Sequence, residues 1–147
     1  MIWKPNVTVA AVLESDGKFL LVEEHTSKGI LFNQPAGHLE PGESLIEGAI
    51  RETLEESAYT FEPEAIIGIY QWRMAETTYL RVAFTGRITA HDPSRRLDEG
   101  IIGAHWLDPQ DIPENRLRSP MVSRCIADYL GGMRYPLDII IHFREVT

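Results

Sequence analysis

Residues 37–59 read GHLEPGESLIEGAIRETLEESAY, and this stretch determines how the rest of the chain is interpreted. Pro41–Gly42 is a turn signal. Ser44 follows as an N-cap, with Glu47 three residues later to complete a capping box. The spacing of the apolar residues beyond it predicts a helix over 44–57, with one buried stripe made of Ile46, Ala49, Ile50, Thr53 and Leu54.

The same helix carries three glutamates on a neighbouring face. Glu52, Glu55 and Glu56 fall at i, i+3 and i+4, where like charges repel by roughly a few tenths of a kcal/mol per pair. Such a face is usually just solvated, but a bound cation would remove the repulsion. Gly48 lies one turn before Glu52 and costs about 1 kcal/mol relative to alanine inside a helix. Room for a ligand or for a close loop would explain this glycine; a merely weak helix position is the alternative.

This stretch resembles the Nudix box, G-x5-E-x7-R-E-U-x-E-E-x-G-U, in which U is apolar. Two positions depart from the pattern: Thr53 stands where an aliphatic residue is usual, and Ala58 replaces the second glycine. Because a left-handed turn costs alanine about 1 kcal/mol or more, we expect the chain to leave the helix by another route. The fixed positions that match are Gly37, Glu43, Arg51, Glu52, Glu55 and Glu56.

The resemblance implies a divalent-metal site for Mg²⁺, with Mn²⁺ as a second option. Carboxylate and water oxygens are the ligands that Mg²⁺ prefers. Carried over position by position, the family pattern makes Glu55 and Glu56 metal ligands. Glu52 either ligates metal or acts as the general base, and the Gly37 carbonyl adds a ligand because no side chain blocks its approach.

Residues beside the glutamates complete the implied catalytic set. Arg51 is interpreted as an organiser that pairs with Glu43 or another carboxylate; a simple surface ion pair is the alternative. Nudix enzymes often place the base or a further ligand outside the box, and Asp98 and Glu99 lie where such a residue is found. For each of these two, an ordinary loop carboxylate is an equal alternative.

Further side chains are candidates for substrate contact. His38 is favoured for loop packing or a substrate contact over metal ligation, and Glu40 is either a solvated turn residue or an outer ligand. A terminal phosphate could be bound by arginine, which does so with two parallel hydrogen bonds, and an aromatic ring could stack on an aromatic side chain. The arginine candidates are Arg73, Arg81 and Arg118, for which simple solvation is the alternative. The aromatic candidates are Trp72 and Tyr79, for which sheet-face packing is the alternative.

The order of elements predicts an α/β fold with a mixed sheet. It resembles the Nudix fold, an α/β/α sandwich in which the box helix and a C-terminal helix flank the sheet. A second helix is expected over 119–130, closed by Gly131–Gly132, and 92–100 reads as a charged loop. The predicted strands are 6–13, 19–24, 65–72, 79–89, 103–107 and 137–143, with a short extended segment over 30–37.

Composition limits the setting and the partners. The 147 residues fit a single Nudix hydrolase domain over 1–147, without a run near the roughly 20 apolar residues that span a bilayer. Cys125 is the only cysteine, so a cytoplasmic location is the simplest expectation. A net charge of −8 argues against nucleic-acid polymers and anionic membranes, but not against a small phosphorylated substrate whose charge a metal offsets. We expect a monomer or weak homo-oligomer.

The leading interpretation is a magnesium-dependent hydrolase of phosphoanhydrides. Outer segments resemble the NudJ-type phosphatase branch, which implies release of orthophosphate from nucleoside di- and triphosphates or from thiamine-pathway diphosphates. A pyrophosphohydrolase that converts nucleoside triphosphates to monophosphates is the alternative within the class. A non-catalytic nucleotide-binding domain is the alternative outside it. The segments that carry the branch resemblance are KPNVTVA (4–10), FNQPAGHLE (32–40), QWR (71–73), LRSP (117–120) and RYPL (134–137).

Overall fold

The structure is a computed structural model that describes residues 1–145. Its strands and α-helices, in chain order within each class, are β1 (Asn6–Ala11), β2 (Glu14–Ser15), β3 (Lys18–Thr26), β4 (Gly29–Asn33), β5 (Ala36–His38), β6 (Tyr59–Met74), β7 (Thr77–His91) and β8 (Ile101–Leu107), and α1 (Leu45–Ser57) and α2 (Pro120–Leu130).

Two sheets organise the chain. The first has the order β5-β1-β7-β6; β1 pairs parallel with β7, and the other neighbours are antiparallel. The second contains β2, β3 and β4, with β8 antiparallel to β3. The predicted mixed sheet is therefore confirmed, and β5 forms the edge of the first sheet nearest the box.

The two helices cover opposite faces of the first sheet. Along β1, Val9 packs in the cluster that includes Ala49 of α1, whereas Ala10 packs in the cluster that includes Cys125 and Ile126 of α2. Since successive side chains of a strand point to opposite faces, the alternation places α1 and α2 on different sides. Both faces of β1 are buried, which confirms the predicted sandwich.

Helix α1 begins where the sequence predicts. Ser44 caps it: the Ser44 hydroxyl accepts from the Glu47 N–H at 3.0 Å, and the Glu47 carboxylate accepts from the Ser44 N–H at 2.8 Å. Ala49 and Thr53 of the predicted stripe are buried, while the apolar side chains that flank them are half-buried.

The predicted exit from α1 is wrong. Ala58 does adopt the left-handed conformation, with φ 65° and ψ 11°. It is only 4% exposed; its N–H donates to the Leu54 carbonyl at 2.9 Å, and its carbonyl accepts from the Asp92 N–H at 3.0 Å. These buried contacts hold a conformation that costs alanine roughly 1–2 kcal/mol.

The predicted last strand over 137–143 is also wrong. Leu137–Ile139 forms a 3₁₀ turn, and no strand follows it within residues 140–145. Tyr135 makes two backbone hydrogen bonds with Ile66 at the edge of β6, both 2.8 Å. The chain then turns into the 3₁₀ helix, where the Ile139 N–H donates to the Pro136 carbonyl at 3.3 Å and Leu137 packs against the core cluster that contains Ile66. The pairing with β6 therefore stops after one bridge. Neither helix that the structure describes is long and apolar enough to cross a membrane.

We predict that Ser44→Ala lowers stability by about 1 kcal/mol, because the Glu47 N–H loses its capping acceptor. Thermal unfolding monitored by circular dichroism measures the effect. Ser123→Ala on the exposed face of α2 is the matched control and should be neutral or slightly stabilising. A Ser44→Ala protein as stable as the parent would contradict the capping role.

Candidate active site

The box glutamate nearest the sheet edge is held against a glycine. A β-carbon built on Gly37 would lie 2.2 Å from the carboxylate carbon of Glu52, a distance that no real contact allows. A side chain at residue 37 would therefore have to push the Glu52 carboxylate away from β5, whereas glycine leaves room for it. Glu52 is 9% exposed, and its burial raises the pKa of its carboxyl group.

Glu56 is bound to the same edge strand one turn later. Its Oε1 accepts the Ala36 N–H at 3.0 Å. Burial is the main cause that raises the pKa of Glu56 to about 8, and the charge of Glu52 raises it further. A nearby cation favours the ionised form of a carboxylate, so a bound metal would reverse this shift.

A third acidic group reaches the glutamates from the loop over 92–100. The Asp98 N–H donates to the Glu55 carbonyl at 3.0 Å, which ties this loop to α1. One carboxylate oxygen each from Glu52, Glu55 and Asp98 lies within 4.8 Å of the others. Burial, and then Glu55, raises the pKa of Asp98. Three crowded acidic groups with oxygen ligands fit a divalent cation such as Mg²⁺.

Arg51 occupies the centre of this acidic group. It makes a bidentate pair with Glu43, with Nε to Oε2 at 2.9 Å and Nη2 to Oε1 at 2.7 Å. Its Nη1 donates to Glu52 and Glu55 at 2.8 Å each, and its Nη2 donates to the His38 carbonyl at 3.0 Å. The hydrogen bonds that Arg51 donates to Glu43 are the main cause that raises the pKa of Arg51. One planar cation thus links the loop before the helix to two box glutamates.

The glycine inside α1 makes room for this loop. A β-carbon on Gly48 would lie 2.9 Å from Glu43 Oε1 and 3.3 Å from Val9 Cγ2. Glu43 is also fixed by the Glu40 N–H at 2.8 Å. Of the explanations for Gly48, the geometry supports the close loop. The Glu40 side chain is more loosely held, 3.3 Å from Arg51 and 59% exposed.

A cleft of about 1220 Å³ opens beside the carboxylates, and Glu52, Glu56 and Gly37 belong to its wall. Trp72 and Tyr79 stack on each other there, with ring centroids 5.8 Å apart at 24°. The substrate candidates that line the cleft are His38, Trp72, Tyr79, Arg81 and Arg118.

The other candidates differ in their surroundings. Arg118 pairs with Glu24 at 2.7 Å, so its charge is already matched. Arg73 and Glu99 are exposed and lie outside the cleft wall. Of the two loop carboxylates, the structure brings only Asp98 into the acidic cluster.

Arg81 is the buried cation of the cleft, 3% exposed. Its Nη1 donates to Gln34 Oε1 at 2.9 Å and its Nη2 to Asn33 Oδ1 at 3.0 Å. Gln34 in turn donates to the Val122 carbonyl at 2.9 Å, which connects the guanidinium to α2. Sequence reasoning missed Asn33, Gln34 and Thr8 as neighbours of Arg81, since none belongs to the box. Strand register brings Thr8 to Arg81, and contacts between the two sheets bring Asn33 and Gln34 to it.

The fold and the acidic cluster define a class: an α/β/α sandwich whose first helix carries carboxylates that could hold a cation. Residues 3–126 match the family model of the NUDIX domain, and the chain belongs to that family. It is a Nudix hydrolase, in a family that generally uses divalent metals and acts on small phosphorylated substrates.

Named relatives place the chain within the family. A phosphatase NudJ from Escherichia coli strain K12 is 40% identical over 144 residues, which cover 97% of this chain and 94% of that protein. A NUDIX hydrolase from Nitrosomonas europaea is 52% identical with a TM-score of 0.93, covering 95% of this chain and 98% of that one. A MutT NUDIX hydrolase from Burkholderia pseudomallei, at 16% identity and a TM-score of 0.75 over 86% of this chain and 98% of that one, shares the fold.

We predict that Gly37→Ala lowers turnover at least about tenfold, as losses around metal ligands do. The added methyl group would displace the Glu52 carboxylate while the strand itself persists. Steady-state kinetics and a thermal melt measure the two effects. Gly103→Ala is the control, since its β-carbon would meet no atom closer than His105 Nε2 at 3.5 Å. Normal turnover in Gly37→Ala would show that Glu52 is not held by this contact.

We predict that Arg51→Ala raises the metal concentration for half-maximal activity by about 10–100-fold. The carboxylates that Arg51 fixes would lose their orientation, and the melting temperature would fall as well. Metal titration and KM are measured on the same protein. Arg87→Ala removes an ion pair with Glu62 in which both side chains are 63% exposed, and it should change neither quantity. A raised KM with normal metal affinity would mean that Arg51 only binds substrate phosphate.

Proposed function

We propose that the protein is a divalent-metal-dependent phosphatase that releases orthophosphate from diphosphates and triphosphates carrying an aromatic ring. Nucleoside di- and triphosphates and thiamine-pathway diphosphates are the substrate classes. The observation that carries the proposal is the acidic cluster of Glu52, Glu55 and Asp98, which adjoins a cleft with stacked Trp72 and Tyr79. The E. coli relative named phosphatase NudJ supports orthophosphate release.

The residues of the cluster suit phosphoanhydride hydrolysis. Glu52, Glu55, Glu56, Asp98 and the Gly37 carbonyl are the groups that would hold a cation such as Mg²⁺ or Mn²⁺. When bound, that cation neutralises phosphate oxygens and makes an attacking water more acidic. Glu52 or Asp98 is positioned to take the proton of this water.

The cleft also supports the proposal that the substrate carries a ring. Aromatic side chains stack on planar rings without requiring a particular hydrogen-bond pattern. The Trp72–Tyr79 pair is half exposed, so one ring face is available to such a group. The cleft volume of about 1220 Å³ also admits a nucleoside triphosphate, which keeps the pyrophosphohydrolase as the alternative. Activity on nucleic-acid polymers is not expected at a net charge of −8, and the cytoplasmic location and weak or absent self-association stay predictions.

Product analysis tests this function. ADP, ATP and thiamine diphosphate are incubated with the protein and Mg²⁺, and orthophosphate is measured with and without added inorganic pyrophosphatase. We expect orthophosphate without the helper enzyme, no turnover in a chelator, and recovery with Mg²⁺ or Mn²⁺. A Glu52→Gln protein prepared in parallel controls for contaminating phosphatases.

The other outcomes separate the alternatives. Pyrophosphate from ATP would establish the pyrophosphohydrolase. Binding of nucleotide without any metal-dependent turnover would establish the non-catalytic domain. Full turnover in metal-free buffer would contradict the assignment of the carboxylates as metal ligands.

A further inference from the structure

Two buried polar atoms have no hydrogen-bond partner among residues 1–145: Thr8 Oγ1 and Arg81 Nε. They are not scattered, because Thr8 of β1 and Arg81 of β7 are directly paired in the parallel ladder. Paired residues of neighbouring strands project to the same face of a sheet. Both residues also belong to the wall of the cleft. A hydroxyl group and a guanidinium N–H, each lacking a partner, therefore lie side by side at the cleft.

The charge of Arg81 is unmatched as well. Its two bonded nitrogens donate to neutral amide oxygens of Asn33 and Gln34, and Arg81 has no ion pair within the part of the chain described. The Cys125 thiol is close to the guanidinium, but burial raises the pKa of this thiol and keeps it neutral. A buried cation without a counter-charge is strongly unfavourable, and proteins keep such groups where a ligand supplies the missing charge.

The strand register places this pair next to the aromatic rings along β7 and next to the edge strand β5, which the carboxylates contact. Tyr79 and Trp72 are paired with each other one row along the same face, about 7 Å from Arg81 for two residues of a strand. In the other direction, Thr8 pairs with His38 of β5, and this edge strand lies about 10 Å from β7 for two strand spacings. A ring-bearing diphosphate has its groups in the same order: ring, retained phosphate, released phosphate.

We propose that Arg81 and Thr8 form a subsite for the phosphoryl group that stays on the ring-bearing product. Arg81 supplies the positive charge and N–H donors, and the Thr8 hydroxyl donates to a second phosphoryl oxygen. Asn33 and Gln34 hold the guanidinium plane. The subsite rests on the proposed function for the order of the two phosphates, but its binding of a monophosphate does not require turnover.

Thr8→Val tests the subsite sharply, because valine keeps the shape and removes only the hydroxyl. That hydroxyl bonds to no described residue, so the melting temperature should stay the same or rise. Calorimetric titration with AMP in Mg²⁺ buffer should show affinity reduced roughly tenfold, the usual loss for a hydrogen bond to a charged group. Affinity for orthophosphate, the released product, should stay unchanged.

Arg81→Lys is the second variant, since it keeps the charge and loses the planar fork. It should weaken AMP at least as much as Thr8→Val does and raise KM for ADP more than it lowers kcat. The matched control is Thr85→Val, which alters a buried threonine of the same strand outside the cleft wall. It should bind AMP like the parent.

Several results would overturn the subsite. Unchanged AMP affinity in Thr8→Val would exclude a contact with the retained phosphate. Equal losses for AMP and orthophosphate would place the pair at the released group instead. A lower melting temperature with normal AMP affinity would give the hydroxyl a purely structural role. If the protein released no orthophosphate from any diphosphate but bound AMP as described, the proposed activity would fail and the subsite would stand.

Discussion

The guanidinium of Arg51 is the contact on which the rest of the active site depends. Its bidentate pair with Glu43 fixes the loop before α1, and its Nη1 holds Glu52 and Glu55 at 2.8 Å. Without a cation between them, these carboxylates would repel each other and turn towards solvent. Arg51 therefore keeps these negative oxygens together.

Two glycines make this arrangement sterically possible. Gly37 allows the Glu52 carboxylate to lie on the backbone of β5, and Gly48 allows Glu43 to pack on α1. The glycines of this stretch therefore determine how closely the loop, the helix and the edge strand approach one another, while its glutamates supply the carboxylates. Residues 37 and 52 belong to different elements, so this contact helps to position the helix on the sheet edge, together with the Glu56–Ala36 and Arg51–His38 hydrogen bonds. As a consequence the carboxyl groups of Glu52 and Glu56 are buried, and this burial raises their pKa values.

The features that were predicted correctly from the sequence are those that depend on residues close together in the chain. The Ser44–Glu47 capping box located the start of α1, and i, i+3, i+4 spacing placed the glutamates on one face. The predictions failed where contacts between residues far apart in the chain determine the backbone conformation. Ala58 takes a left-handed turn because the Asp92 backbone from a later loop helps to hold it. The last predicted strand ends after one bridge because the chain turns into a 3₁₀ helix that packs Leu137 and Ile140 against the core cluster containing Ala49 of α1. The spacing of apolar residues along the chain contains no information about either contact.

The part of the site outside the box depended on the position of a loop and on strand register. The sequence alone provided neither. Asp98 and Glu99 are neighbours with the same chemistry, yet only Asp98 joins the acidic cluster. Thr8 and Arg81 are far apart in the chain, and the parallel pairing of β1 with β7 brings them together.

The cleft that results holds a group of acidic side chains and a buried guanidinium that do not pair with each other. Carboxylates with raised pKa values lie at the β5 edge, and a buried guanidinium lies two strands away in the same cleft. Neither group can neutralise the other directly, because each is held by its own hydrogen bonds. A divalent cation and a phosphorylated molecule together would satisfy both, the cation at the carboxylates and a phosphate at the guanidinium. The two ligands should thus favour each other's binding, since each brings charge that the other and the protein lack.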